Sequence, residues 1–216
     1  MKIAVVGCGR QGQDAVKDLL DEKTSPGVKN VLVTDINEEK VRTFAKEVDD
    51  TRLTAIQANA SKPEELAKVL KGYSATINLA WYHLNLAIMQ ACLKAGSCYT
   101  DAGGLFVNTR KQLKLDDAFR NAQLTAALGC GGSPGIVNML AKIGADRLDE
   151  IDEIHCRLGK GPAVYTLHSE TATLAQYLGK GCKTVTFKQT LRPEMMEPLK
   201  ILVNLGLASK ELIDVG

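Results

Sequence analysis

The feature that most constrains this chain is the stretch Gly7-Cys8-Gly9-Arg10-Gln11-Gly12, because of its flanks. It follows Lys2-Ile3-Ala4-Val5-Val6, a β-branched run that reads as a buried strand, and precedes Asp14–Leu20, which has helical spacing. Strand, glycine turn and helix in that order form the dinucleotide fingerprint. Gly7 permits the tight turn out of the strand. Gly9, without a side chain, lets the backbone approach a pyrophosphate, and Gly12 lets the helix pack close to the sheet. The amides of Arg10 and Gln11 open the same helix, whose N-terminal dipole favours phosphate charge. An ordinary glycine turn in an unrelated α/β protein is the structural alternative.

An acid stands where that fold needs one. Val31-Leu32-Val33-Thr34 reads as the second strand, and Asp35 closes it. Its carboxylate is placed to accept hydrogen bonds from the adenine-ribose hydroxyls and to repel a 2′-phosphate. Ile36 and Asn37 follow, with no arginine directly after the acid, so NAD is expected over NADP; Lys40 and Arg42 lie a turn or two further on. Asp35 could also cap the helix expected at Glu38–Val48.

Strand and helix patterns alternate through about residue 147. Helices are expected at Glu38–Val48, Pro63–Leu70, Leu84–Lys94 (ending at Gly96), Thr109–Asn121 and Pro134–Arg147. The strands between them are expected at Leu53–Gln57, Ala75–Leu79, Cys98–Thr100 and Leu124–Leu128. Such alternation implies a doubly wound parallel α/β sheet of Rossmann type. From Ile151 the pattern changes. Strands at Ile151–Leu158, Val164–Leu167 and Thr184–Lys188, with helices at Glu170–Leu178 and Glu194–Leu205, indicate a smaller α+β region. The expected division is a dinucleotide-binding domain over 1–148 and a substrate and oligomerisation region over 149–216.

The charge pattern narrows the partners. The net charge is +2 with acids and bases interspersed, so neither nucleic acid nor an anionic membrane is an expected partner. No apolar run approaches a membrane span, and the first strand begins at once, leaving no room for a signal peptide. The six cysteines Cys8, Cys92, Cys98, Cys130, Cys156 and Cys182 form no C-x-x-C pair and have no histidine at zinc spacing. Buried free thiols in a reducing cytoplasm are expected, with no metal site.

Ligands of an open α/β sheet bind outside the carboxyl ends of its strands. Three loops leave those ends with unusual composition. Asn78-Leu79-Ala80-Trp81-Tyr82-His83 brings Asn78 and Ala80 toward the cofactor, with Tyr82 or His83 as proton carriers or as packing. Asp101-Ala102-Gly103-Gly104 offers a carboxylate that could hold a substrate amine or bond its own loop. In Gly129-Cys130-Gly131-Gly132-Ser133-Pro134-Gly135, Ser133 reads as an N-cap and Pro134 as the first helical residue. Bare glycine amides there could bind a substrate carboxylate, or the loop could be a simple capped helix start. Further on, His168 and Glu170 could reach the cleft from the opposite wall, or Ser169 could simply cap a helix. His155 and Arg157 share one strand face, and Arg157 could meet a second carboxylate.

The stretches VVGCGRQGQDAVKDLL, NLAWYHLNLAIMQACLKAGSCYTDAGG, GCGGSPGIVNMLA and YTLHSETATL with the following VTFK resemble the saccharopine dehydrogenase-like oxidoreductases, especially the lysine 6-dehydrogenase branch. The resemblance implies cytoplasmic homodimers or higher homo-oligomers. It also implies a nicotinamide cofactor and reversible oxidation at a C–N bond of an amino acid, with lysine the first expectation. It places Asn78, Asp101, Gly103, Gly104, Ser133, Pro134 and Asn138 along the cofactor or substrate cleft, with His168 and Glu170 from the substrate region; Gly135 joins the substrate-binding candidates from the loop itself. Asp101, His168 and Tyr82 are the candidate catalytic residues. A saccharopine or carboxylated polyamine substrate, and a non-catalytic NAD-binding sensor, are the alternatives. Where the family carries an extended substrate domain, only Gly159-Lys160-Gly161-Pro162-Ala163 intervenes, a shortened region.

Overall fold

A computed structural model describes residues 1–207. The first unit is a parallel six-stranded sheet. Its elements run β1 (Lys2–Val6), α1 (Arg10–Leu20), β2 (Asn30–Asp35), α2 (Glu38–Val48), β3 (Leu53–Gln57), α3 (Pro63–Leu70) and β4 (Ala75–Asn78). A 3-10 turn (Tyr82–Leu84) leads into α4 (Asn85–Ala95), β5 (Cys98–Asp101), α5 (Leu105–Leu113), α6 (Asp116–Asn121), β6 (Ala126–Ala127) and α7 (Ile136–Ala145). The strand order is β3-β2-β1-β4-β5-β6. The order reverses between β1 and β4, and the crevice at that switch point is where such sheets bind ligands.

The period-2 alternation of strand side chains explains the double winding. Ala4, Val6 and Leu32 face Leu66 and Leu70 of α3 and Ile88 and Met89 of α4. Ile3, Val5, Val31 and Val33 face the other way, onto Val16 and Leu20 of α1 and Val41 and Phe44 of α2. A strand apolar at every position is stable only when both faces are covered.

Several boundaries differ from the sequence expectation, each for a local reason. The helix expected over Thr109–Asn121 is two helices, and it begins earlier, at Leu105. Tight turns from Lys114 N–H to Lys111 C=O and from Leu115 N–H to Gln112 C=O break it, and Leu115 turns into the core. The strand expected over Leu124–Leu128 is reduced to Ala126–Ala127, which pair with Tyr99 and Thr100, the two central residues of the four-residue β5. The fourth strand ends at Asn78 rather than Leu79, since the Asn78 Oδ1 accepts the Ala80 N–H and turns the chain. Helix α7 begins at Ile136, so Pro134 is not its first residue and Ser133 is not its N-cap; Gly135 holds that place with φ +123°.

The second sheet is β7 (Glu153–Leu158), β8 (Ala163–Tyr165) and β9 (Thr184–Thr190), in the order β7-β9-β8, with α8 (Ser169–Leu178) and α9 (Pro193–Asn204). Strand β7 runs parallel to β9, and β8 antiparallel. Residues 159–162 join β7 to β8 on opposite sides of β9. One face of the sheet packs Cys156 and Phe187 on Leu174 and Leu178 of α8 and Val137 and Ala141 of α7. Residues 208–216 of the expected second region lie outside the described residues.

Candidate active site

The β1–α1 turn has the geometry of an anion cradle. Gly7 has φ +104°, and a Cβ there would lie 2.7 Å from the Ala80 nitrogen; a Cβ on Gly12 would lie 1.8 Å from the Gly7 carbonyl oxygen. These two glycines are fixed by close backbone packing. At Gly9 an added Cβ meets nothing, so the turn opens outward there. Gly9 is the N-cap of α1 and gives no side-chain hydrogen bond, and the first turn carries no acid. The amides of Arg10, Gln11 and Gly12 therefore begin a helix without an internal anion, the arrangement that receives a phosphate. A dinucleotide pyrophosphate fits this turn.

Asp35 lies beside it. Its Oδ2 accepts the Cys8 N–H at 2.9 Å and its Oδ1 the Asn37 N–H at 3.0 Å. The cap of α2 is Asn37, which accepts the Lys40 N–H, so Asp35 does not cap the helix itself but joins the glycine turn to the residue that does. Cys8 is buried, and burial, with help from Asp35, raises its thiol pKa.

Asn78 and Asp101 end adjacent strands and belong to one buried polar network. The Asn78 amide donates to Asn85 Oδ1 (2.8 Å) and to the Tyr99 hydroxyl (3.0 Å). Asp101 Oδ2 accepts from Tyr99 Oη at 2.8 Å, Gln112 Nε2 at 2.6 Å and Asn85 Nδ2 at 3.3 Å. Its Oδ1 accepts the Gly103 N–H at 2.9 Å and the Gly129 N–H at 2.8 Å. A carboxylate has about four lone-pair sites, so Asp101 is saturated. It is not available to hold a substrate amine or move a proton; it bonds the β5 and β6 loops together. Burial, then the Asp101 charge, drives the Tyr99 phenol far above its ordinary pKa. Sequence reasoning missed Asn85 and Gln112; Asn85 shows as a polar residue opening an otherwise apolar helix, whereas Gln112 sits among polar neighbours and carries no such signal.

The loop after β6 also differs from expectation. The Gly135 N–H goes to Asn138 Oδ1 at 3.0 Å, Ile136 N–H to Gly131 C=O at 3.0 Å and Val137 N–H to Gly132 C=O at 3.2 Å. The amides expected to be free for a carboxylate are thus taken by the loop itself. Pro134, Gly135 and Asn138 instead line an apolar cavity of about 820 Å³ between α5, α6, the β6 edge and α7. Gly103 packs on Pro134, and Gly104 lies against the Gln112 and Asn85 side chains, which accounts for both glycines by packing.

Ser133 points elsewhere. Its hydroxyl donates to Oε1 of Glu170, and the other carboxylate oxygen of Glu170 meets Nδ1 of His168. Glu170 is fully buried in the first turn of α8. Burial works to raise its pKa, but the hydrogen bonds from His168 and Ser133 outweigh it and the net shift is downward. The His168 ring stacks on Phe187, centroids 4.3 Å apart and 13° from parallel. Thr109 of α5 donates to Ser169 at 3.0 Å, which seats the start of α8 against the first unit. The sequence-predicted residues Ser133, His168 and Glu170 are therefore brought together, 37 positions apart in the widest pair.

Tyr82 and His83 lie in the 3-10 turn after β4. Their rings are 4.1 Å apart, and His83 also meets Trp81, which is 69% exposed. Arg157 donates to the Gly161 carbonyl at the surface, and His155 is held by Glu153 and Thr186 on the same exposed face. Among the described residues no cluster of metal-ligating side chains occurs and no helix is long and apolar enough to cross a membrane. All six cysteines are free; Cys8, Cys92 and Cys156 are buried, and Cys130, contrary to expectation, is exposed.

The fold and the cradle define a Rossmann-type dinucleotide-binding protein. Its family is that of the saccharopine dehydrogenase NADP-binding domain, which matches residues 3–127, and the chain belongs to it. The chain is 25% identical over 199 residues to the carboxyaminopropylagmatine dehydrogenase of Synechocystis sp., covering 83% of this chain and 48% of that protein. It is 34% identical over 116 residues to the carboxynorspermidine synthase of Vibrio cholerae, covering 48% of this chain and 28% of that one. The chain thus spans about half or less of these relatives. The saccharopine dehydrogenase (L-Glu forming) of Saccharomyces cerevisiae shares the fold with a TM-score of 0.60 at 18% identity, over 72% of this chain and 34% of that one. GenD2 of gentamicin A biosynthesis, solved with NAD, does so with a TM-score of 0.53 at 18% identity, over 73% and 43%.

Proposed function

We propose that this protein binds NAD across the carboxyl ends of β1, β4 and β5 and oxidises, reversibly, a C–N bond of an amine that carries a carboxylate. The observation that carries this reading is the outward-open Gly9 turn with Asp35 tied to it, in a chain of the saccharopine dehydrogenase family. Asp35 supports NAD over NADP, since a second negative group beside its carboxylate is unfavourable. The bound nicotinamide supplies the hydride acceptor. The chain's own residues orient the amine and take its proton.

The substrate class we favour is a carboxylated polyamine, oxidised at a secondary amine. Two relatives are named for such compounds. Arg157 is turned to the Gly161 carbonyl and Arg110 lies over the Phe106 ring, an arrangement better matched to a substrate with one carboxylate than to saccharopine with several. Lysine, oxidised at its side-chain amine, satisfies the same condition and is the second reading.

The test is a screen for NADH and NADPH formation with lysine, diamines and carboxylated polyamines at alkaline pH, beside calorimetric titration of both cofactors. Turnover of a carboxylated polyamine with NAD is the expected result. Turnover of lysine alone selects the second reading. Cofactor binding without turnover of any amine overturns the enzymatic proposal and leaves the NAD-binding sensor.

A further inference from the structure

The proposed reaction needs a group that removes the ammonium proton before hydride leaves the adjacent carbon. Asp101 is saturated and cannot serve. Among the described residues a different group, the carboxylate–imidazole pair Glu170–His168, stands beside these strand ends. Ser133, Glu170 and His168 form a continuous hydrogen-bonded chain from the loop after β6 to the N-terminus of α8.

The geometry points to His168 as the proton acceptor of the reaction, through Nε2, with Glu170 and Ser133 as positioning residues. This assignment rests on the amine-oxidising function proposed above. Three observations support it. Nδ1 faces the Glu170 carboxylate, so the neutral ring carries its proton on Nδ1 and presents the Nε2 lone pair. Nε2 makes no hydrogen bond to the described residues, whereas both nitrogens of His155 are engaged. The ring cannot rotate freely, since Phe187 stacks flat against it while 15% of the side chain stays exposed. A fully buried carboxylate holding a partly exposed imidazole is the orienting half of a general-base pair.

The position is appropriate. Ser133 lies in the loop following the carboxyl end of β6. Ser169, next to His168, lies 3.9 Å from where a Cβ on Gly103 would stand, after β5. These are the strand ends over which the nicotinamide half of an extended dinucleotide lies. In the oxidative direction the ammonium N–H proton passes to Nε2 and the electron pair stays on nitrogen. A bound nicotinamide would supply the acceptor for the carbon-bound hydrogen and its electron pair, which would leave the C–N bond as an iminium. Imidazolium then returns its proton to water. Ser133 ties the relay to the β6 loop.

The test combines kinetics with a readout that needs no substrate. The chain has three histidines, so their ring nitrogens are separable by ¹⁵N NMR in the intact protein. His168 is expected as the Nδ1–H tautomer when neutral, shifting toward the common Nε2–H form in Glu170→Gln. His168→Ala is expected to lower kcat about 100-fold, the usual scale for a lost general base, with KM and NAD affinity within twofold. Added imidazole should restore part of the rate, which a merely structural histidine would not show. His168→Gln, closer in shape, serves if the alanine variant unfolds. An Nε2–H tautomer in the unmodified protein, or wild-type kcat in either His168 variant, overturns the relay alone. An unmodified protein that oxidises no amine overturns the function on which it rests, and the catalytic role with it.

Discussion

The Asp101 carboxylate, at the end of β5, accepts the backbone N–H of Gly129 at 2.8 Å and so joins the loop after β6 to the neighbouring strand. The same oxygen takes the Gly103 N–H, and the other takes Tyr99, Gln112 and Asn85. A charged group with this many donors acts as a fastener for two loops that wall the crevice.

Replacement of Asp101 by Asn should therefore cost stability. The amide turns an NH₂ toward groups that are themselves donors, at about 2–4 kcal/mol for a broken buried network. Urea unfolding measures this. An Asp101→Asn protein with unchanged unfolding midpoint but lost turnover would return Asp101 to a catalytic role.

Gly12 and Gly9 should respond oppositely to alanine. At Gly12 the new Cβ stands 1.8 Å from a backbone oxygen, so destabilisation of about 3 kcal/mol is expected, the upper range of overpacking. At Gly9 the Cβ meets no protein atom, and stability should stay within about 0.5 kcal/mol. NAD affinity should nevertheless fall at least about tenfold, or 1.4 kcal/mol, because the methyl occupies the pyrophosphate's approach. Thermal unfolding and calorimetry together check the contrast.

Cofactor preference should follow Asp35. The double change Asp35→Ser with Ile36→Arg removes repulsion and adds a phosphate partner, so the ratio of NAD to NADP affinity should narrow or reverse. Competitive titration decides it, and NADP preference in the unmodified protein would refute the assignment.

Stability should fall on acidification in a way traceable to Glu170. Its folded pKa is held below the ordinary 4.5. The associated stabilisation is therefore present above pH 4.5 and is lost as the pH falls through the lower folded value. Denaturant midpoints measured across that range should drop less steeply in Glu170→Gln than in the unmodified protein.

Self-association is expected from α7, where Ile136, Met139, Leu140 and Ile143, at positions that share one helix face, are exposed. Apolar patches on this scale mark contact surfaces. Light scattering at micromolar concentration should give a mass above 23.3 kDa; that mass alone would count against the expectation, and Met139→Lys should lower any association seen.

The sequence by itself determined the elements whose causes are local. The β1 run and the glycine turn adjoin in sequence and Asp35 closes the next β-branched run, and their periodicity and backbone demands are visible in the chain. So are the helices Glu38–Val48 and Pro63–Leu70, found with those bounds, and the αL cap at Gly96. The tertiary structure decided what depends on partners far apart in sequence. Whether Asp101 is free or saturated hangs on Gln112, Asn85 and Gly129. Whether Ser133 caps its own helix or bonds Glu170 hangs on α8 folding against the loop. A carboxylate's chemistry is set by how many donors surround it and how much water is removed, and neither quantity is local. The one-dimensional pattern named Ser133 in one loop and His168 with Glu170 in another; only the packing of the second sheet against α7 and α8 joins them into one chain of hydrogen bonds.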